Sequence, residues 1–312
     1  MEFILSGHVT TIMKKKKFSK DTSRSSFRED ELRRPEVISG NIIVGSSHRY
    51  SGGRADPELE AALRYFDEND KVSVERLFDL LERMINQKRI RDLSDGIVIE
   101  KIHLLLQGVD LSLVLRTTSM VMRIITIDEN GTFCGNLVKG EGISSVISHL
   151  PLSDSVGYIE DRRNGDLESM VISNVLCLLG HVIPYYGMET IVVNDLLDRL
   201  VPLTSDRDEV IRGNAYFCIR MMIERDPEMV KMIPDCPELL MRGVLDSSEN
   251  VQIEGLLALY LLIERDLIED ENICLERAPL LEHMSHSSDR EIAMAAEQIL
   301  FRIERKAGIE LE

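Results

Sequence analysis

From about residue 56 onward, long apolar stretches alternate with short polar breaks at a regular interval. Three stretches end on the same triplet: "DEVIRGNAYFCIRMMIERD" (208–226), "ENVQIEGLLALYLLIERD" (249–266) and "DREIAMAAEQILFRIERK" (289–306). Their isoleucines, Ile223, Ile263 and Ile303, are 40 residues apart. Each stretch opens on polar residues suited to a helix N-terminus and then turns apolar, which predicts one long helix per stretch. Eight positions before each Ile stands a small residue: Ala215, Gly255 or Ala295. A small side chain at one fixed register lets neighbouring helices approach closely.

A further 40-residue step back from Ile223 reaches Ile183 in "SNVLCLLGHVIPYY". Another copy, "LRTTSMVMRIITIDENG", ends at Ile127 with Ser119 at the small position. The step from 127 to 183 is 56, so about 16 residues are inserted, and "LSDSVGYIEDRRNGD" (152–166), polar and holding an Asn-Gly turn, is the insertion. "VERLFDLLERMINQ" (74–87) begins the series. Shorter helices are predicted between the long ones at "GEGISSVISHL" (140–150), "VNDLLDRLVPL" (193–203), "CPELLMRGVL" (236–245) and "APLLEHMSH" (278–286). A repeat of about 40 residues with two or three helices is the spacing of armadillo and HEAT arrays. Such a unit cannot bury its own apolar face, so units stack into a solenoid with a continuous core. The expected fold is therefore an all-α solenoid of five to six units over 56–312. It is preceded by an arm, 1–55, rich in Ser, Lys, Arg and Gly, with too little apolar surface to order. A short helix around "REDELRR" would stop at Pro35, because the residue before a proline is pushed out of helical geometry.

Composition sharpens this. Apolar residues make up 44% of the chain but aromatics only 5%, with no Trp, so Leu, Ile, Met and Ala must fill the core. The net charge of −17 is unevenly spread: 1–54 hold 11 Lys/Arg against 6 Asp/Glu, and 55–312 hold 26 against 48. A basic arm precedes an acidic body. That body should repel nucleic acid and attract basic partners, or serve only as a solvated surface. The five cysteines, Cys134, Cys177, Cys218, Cys236 and Cys274, show no C-x-x-C spacing and read as reduced core residues of an intracellular protein. "MEFILSGHVTTIM" is no secretory signal, since its lysines follow the apolar residues. No run approaches the roughly 18 apolar residues of a membrane span; the longest, "LLALYLLI" (256–263), reads as a buried helix segment.

The layout resembles the armadillo family. "VKGEGISSVISHL" (138–150) is similar to that family's second helix, and "GNAYFCIRMMI" (213–223) to its third. Within the family the likeness is to importin-α. "LLEHMSHSSDREIAMAAEQILFRIE" (280–304) resembles the last repeat there. "FREDELRR", after the Lys14–Lys17 cluster, resembles the basic segment that binds the import receptor, here truncated by Pro35. The resemblance implies a non-enzymatic adaptor without cofactors. It would bind basic, extended cargo peptides and work in the cytoplasm and nucleus. Its arm (Lys14, Lys15, Lys16, Lys17, Phe27, Leu32, Arg33, Arg34) would engage an importin-β-type receptor or its own acidic groove. The family reads its peptide with Trp and Asn four residues apart on the third helices. By register the Trp positions are Cys177, Phe217, Leu257 and Glu297, and the Asn positions are His181, Met221, Leu261 and Phe301. Neither residue type stands at any of them. The alternative is another armadillo scaffold: a regulatory or assembly subunit, for example a chaperone cofactor.

Glu224, Glu264 and Glu304 complete the candidate groove. One per repeat near a helix end, they form a row of carboxylates that suits an extended basic peptide, or else face water. Arg225, Arg265 and Arg305 stand where a cation offsets the negative end of a helix dipole. Asp195, Asp198, Glu238 and Glu282 add to the acidic field. His283 and His286 lack a third metal ligand, and "GEGISS" (140–145) follows no strand and lacks a third glycine, so it reads as a helix-start turn.

Overall fold

The structure, a computed structural model, describes residues 57–139, 142–152, 166–185, 190–265, 267 and 278–306, with backbone alone for 142, 190–194, 291 and 302–306. Ala61–Glu312 forms a compact unit distinct from Met1–Glu60. Among the described residues the regular structure is entirely helical. The helices are α1 (Pro57–Arg64), α2 (Lys71–Asn86), α3 (Ile90–Leu93), α4 (Gly96–Gln107), α5 (Leu111–Ile127), α6 (Thr132–Leu137) and α7 (Gly142–Ile147). There follow α8 (Leu167–Val182), α9 (Thr190–Leu203), α10 (Glu209–Arg225), α11 (Cys236–Val244), α12 (Glu249–Glu264), α13 (Ala278–Ser285) and α14 (Arg290–Lys306). Turns of 3-10 helix at Ile183–Tyr185 and Pro227–Met232 follow α8 and α10.

Aspartate sets five of the starts. Asp70, Asp95, Asp110, Asp166 and Asp208 each accept backbone N–H bonds in the first turns of α2, α4, α5, α8 and α10. Each such cap is worth about 1 kcal/mol, and its charge complements the positive end of the dipole. The long helices then stack in chain order, α2 on α5, α5 on α8, α8 on α10, α10 on α12 and α12 on α14. The shorter helix before each packs on it: α4 on α5, α9 on α10, α11 on α12, α13 on α14. This is an all-α solenoid, as the 40-residue period predicts. The inserted segment centred on 153–165 lies outside the described residues.

The small positions serve close approach in different ways. A Cβ on Gly255 would fall 2.8 Å from Gly243 C and Val244 N, so α12 rests on the backbone of α11, the short helix of its own repeat. Ala215 and Ala295 are buried. Ser119 is half-buried, and its hydroxyl accepts from Asn174 Nδ2 at 2.8 Å. Asn214 Nδ2 likewise donates to Ser173 O at 3.0 Å, so amides tie α5 to α8 and α8 to α10.

Two sequence expectations change. The run 256–263 is not buried throughout: Leu256, Leu259, Leu262 and Ile263 are, but Leu257, Tyr260 and Leu261 are half-buried because they lie on the side of α12 that its neighbours leave partly open. One helical stretch, Leu167–Tyr185, is long and apolar enough to cross a membrane by length and composition, with 19 residues at mean hydropathy 1.5. The 3-10 turn extends α8 to that length. Val171, Ile172, Val175, Leu176, Leu178 and Leu179 are buried where α8 packs between α5 and α10, the ordinary condition of a core helix.

Candidate functional site

The predicted groove positions fall on α8, α10, α12 and α14. At α8 and α10 they condense into one cluster. Phe217 sits flush on α8, since a Cβ on Gly180 would lie 2.2 Å from its ring. His181 meets the same ring edge-on at 5.2 Å. Its Nδ1 donates to Cys177 O at 2.8 Å. Burial holds the imidazole below its usual pKa, although the Cys177 carbonyl and Glu254 pull the other way, so the ring is neutral near pH 7. Arg220 lies over Phe217, its guanidinium carbon 5.3 Å from the ring centroid. The same guanidinium reaches Glu254 on α12 at 2.6 Å and Glu224 at 3.5 Å. Arg220 is buried, and two carboxylates of the acidic face are therefore matched by a cation of the chain itself.

The same device recurs at α2 and α5. The Arg116 guanidinium stands 4.0 Å from the Phe78 ring centroid and bonds Glu75 Oε1 at 2.7 Å. That bond, in the first place, holds the Glu75 carboxyl below its ordinary range. One heptad further on, Arg123 bonds Glu82.

At α12 and α14 the parts are similar but arranged differently. The residue 40 positions after Arg220 is Tyr260, whose hydroxyl donates to Glu264 Oε1 at 3.1 Å. Tyr260 faces Glu297, Gln298 and Phe301 across an open pocket of about 360 Å³. Glu264 and Glu297 are exposed, and Phe301 is 57% exposed.

Of the predicted residues, then, His181 and Phe217 are in contact, Glu224 joins them through Arg220, and Met221 is buried. Leu257 and Leu261 are half-buried; Glu297 and Phe301 share the α12–α14 pocket. Glu304 lies on α14, but its side chain is outside the described residues, as are Lys14, Lys15, Lys16, Lys17, Phe27, Leu32, Arg33 and Arg34. Arg220, Glu254, Tyr260 and Gln298 belong to the face and are not singled out by the sequence reading. The usable signal is the residue three past each ladder position: Arg220 after Phe217 and Tyr260 after Leu257.

Arg265 does more than face a dipole. Its guanidinium donates to the carbonyls of Ile223 at 2.9 Å and Glu224 at 3.2 Å, the end of the preceding long helix. Arg212 grips Asp246 with two bonds of 2.7 Å and also donates to Asp206 O, joining the turn before α10 to the turn before α12. Burial works upward on the Asp246 carboxyl, but Arg212 and the Ser248 N–H together hold it below the usual carboxylate range. Cys134, Cys177, Cys218 and Cys236 are free thiols, and burial pushes Cys134 and Cys236 up to about 12 and Cys177 to about 11. Cys274 lies outside the described residues. No three His, Cys, Asp or Glu side chains converge on a metal position among the described residues.

The stack of long helices, each with its shorter partner, is shared with solved structures. A designed armadillo repeat protein superposes with a TM-score of 0.60 at 16% identity, covering 79% of this chain and 100% of that one. The fold is that of armadillo repeat proteins. A computationally designed armadillo protein for modular peptide recognition matches with a TM-score of 0.58 at 15% identity over 78% of this chain and 99% of its own. A designed armadillo protein in complex with the peptide (KR)4 matches with a TM-score of 0.57 at 15% identity over 79% and 99%. No family profile and no curated protein sequence matches the chain.

Proposed function

We propose that this armadillo solenoid is a non-enzymatic scaffold that binds an extended basic peptide along the exposed sides of its long helices. The supporting observation is the α12–α14 pocket on an acidic body, lined by two aromatic residues and a carboxylate, Tyr260, Phe301 and Glu297, with Glu264 bonded to the Tyr260 hydroxyl. Aromatic faces and carboxylates both attract Lys and Arg side chains. Solved relatives in fold supply a precedent, since one of them holds a peptide of alternating Lys and Arg.

The finer reading is an importin-α-like adaptor moving basic cargo between cytoplasm and nucleus. Its support is the arm, with Lys14–Lys17 and "FREDELRR" as the segment for an importin-β-type receptor. A second reading, a scaffold or assembly subunit that takes no nuclear-localisation signal, is favoured by one observation. Arg220 occupies the carboxylates at the centre of the face, and Asn174 and Asn214 bond neighbouring helices, so neither charge nor amide is arranged for a peptide there.

The experiment is fluorescence polarisation of labelled (KR)4 and a Gly-Ser octapeptide with the full chain, from 50 to 500 mM salt. A basic-peptide scaffold binds (KR)4 and weakens steadily with salt, because exposed charge pairs are screened over a Debye length of about 10 Å at 0.1 M. Equal affinity for the two peptides refutes the proposal. Capture of a purified importin-β-type receptor by a peptide spanning residues 13–36 tests the adaptor reading. No capture leaves the second reading.

A further inference from the structure

Arg220 departs from the repeat that carries it. The 40-residue step leads from it back to Gly180 and forward to Tyr260 and Leu300, so the cation is particular to α10. Its surroundings are those of a guanidinium site. The Phe217 ring centroid lies 5.3 Å from its guanidinium carbon, Glu254 of α12 accepts from Nε at 2.6 Å, and Glu224 stands 3.5 Å from a terminal nitrogen. An aromatic face with carboxylates beside it attracts a guanidinium from any source, a bound peptide included.

The platform does not depend on Arg220 for its place. Phe217 is seated against Gly180 of α8 and met edge-on by His181, and Glu254 belongs to the next long helix. Ring and carboxylates therefore stay together when the arginine is trimmed. Glu224, its side chain 48% exposed, gives the set a side that faces solvent. The similar set at α2–α5 is held less firmly. The Arg116 and Glu75 side chains there are 44% and 46% exposed, and water competes for such a pair. The Arg220 side chain is 7% exposed and that of Glu254 20%, so Arg220 yields its place much less readily.

We infer that Arg220 is the specificity-determining residue of the peptide face: it fills from within the place on α10 and α12 where a peptide arginine would dock, and so selects against a basic side chain at the centre of the face. The inference rests on the peptide-binding reading above and gives it a selectivity. Exchanging one guanidinium for another gains no contact, and a displaced Arg220 sets its charge beside the peptide's own. A basic peptide on the wild-type face therefore presents a neutral residue to α10 and keeps its cations for the neighbouring helices.

The test measures labelled (KR)4 and octalysine, equal in charge, against the full chain, its Arg220→Ala variant and Arg225→Ala, the same charge change at an exposed position of the same helix. Arg220→Ala should bind (KR)4 about 3- to 30-fold more tightly than wild type does, the span of a cation–π contact, and should gain less with octalysine, whose ammonium groups lack the planar fork. Arg225→Ala should stay within about twofold of wild type for both peptides. Arg220→Gln, which keeps a neutral stem in place, stands in if Arg220→Ala does not fold. A gain for (KR)4 no larger than that for octalysine overturns the inference while peptide binding stands. If no protein binds (KR)4, the functional proposal falls, and chemical rescue decides the inference alone. Ethylguanidinium, the fragment that Arg220→Ala removes, should at about 50 mM hold that variant's Tm about 2–4 °C above its value in equal ethylammonium, a difference that wild type does not show. The same Tm in the two cations overturns the inference.

Discussion

Two glycines lie inside long helices at comparable depth, and alanine should act on them in opposite directions. A Cβ at Gly255 would lie 2.8 Å from Gly243 C and Val244 N and 3.0 Å from Gly243 Cα. Carbon contacts sit near 3.5–4.0 Å, so α12 must back away from α11 by roughly 0.7 Å, and all three obstacles are backbone. Overpacking of this kind costs about 1–3 kcal/mol. Alanine's better helix propensity returns about 1 kcal/mol, leaving a net loss of up to about 2 kcal/mol for Gly255→Ala. At Gly213 the nearest atoms are side-chain carbons at 3.8 and 4.0 Å, which is ordinary contact. Gly213→Ala therefore keeps the propensity gain and should stabilise by about 0.5–1 kcal/mol. For a unit of this size each kcal/mol moves Tm by about 2–4 °C. Circular dichroism at 222 nm during heating should show Gly255→Ala melting below wild type and Gly213→Ala above it. A Gly255→Ala protein stabilised as much as Gly213→Ala would refute the claim that helix-to-backbone contact fixes this position.

Three further outcomes follow from the polar ties. Removing one partner of the Arg212–Asp246 pair, by Asp246→Asn, should cost about 3 kcal/mol in urea unfolding at pH 7. Because the folded-state pKa of Asp246 is lowered, its contribution is present above the unfolded value near 4 and fades as pH falls through the folded one, so Asp246→Asn should flatten the acid limb of the stability profile. Arg265→Met strips the end of α10 of its bonds and should destabilise by about 1 kcal/mol, with amide exchange of α10's last turn and the following 3-10 turn rising most. Cys134, Cys218 and Cys236 should resist a thiol reagent at pH 8 in the native protein and react at once in denaturant; rapid native labelling on mass mapping would contradict their burial.

The long helices were legible because their signals are local and periodic. The "IER" return fixes the register of α10, α12 and α14, and each opens on capping-type polar residues. The short first elements, α3, α6 and the turn at 227–232, escape because four to six residues cannot show a helical period. The site was legible in part. Ladder positions are set by register, so Phe217 could be assigned to α10 and Glu297 and Phe301 to α14. Whether such a residue is open is set by spacing between helices, and Gly180, on a different helix, lets Phe217 sink out of reach. Arg220 with Glu254 was invisible for a similar reason. The two are 34 residues apart, off the 40-residue step, and only the packing of α10 against α12 pairs them.

The reach of Arg265 gives the array a direction. The last carbonyls of α10 are satisfied by a side chain synthesised some 40 residues later, at the end of the next long helix. A nascent chain that has emerged only as far as α10 therefore holds a frayed terminus, which closes when its successor docks. In the mature protein the same dependence runs in reverse: local opening of α12 unlatches α10, and fraying travels toward the N-terminus.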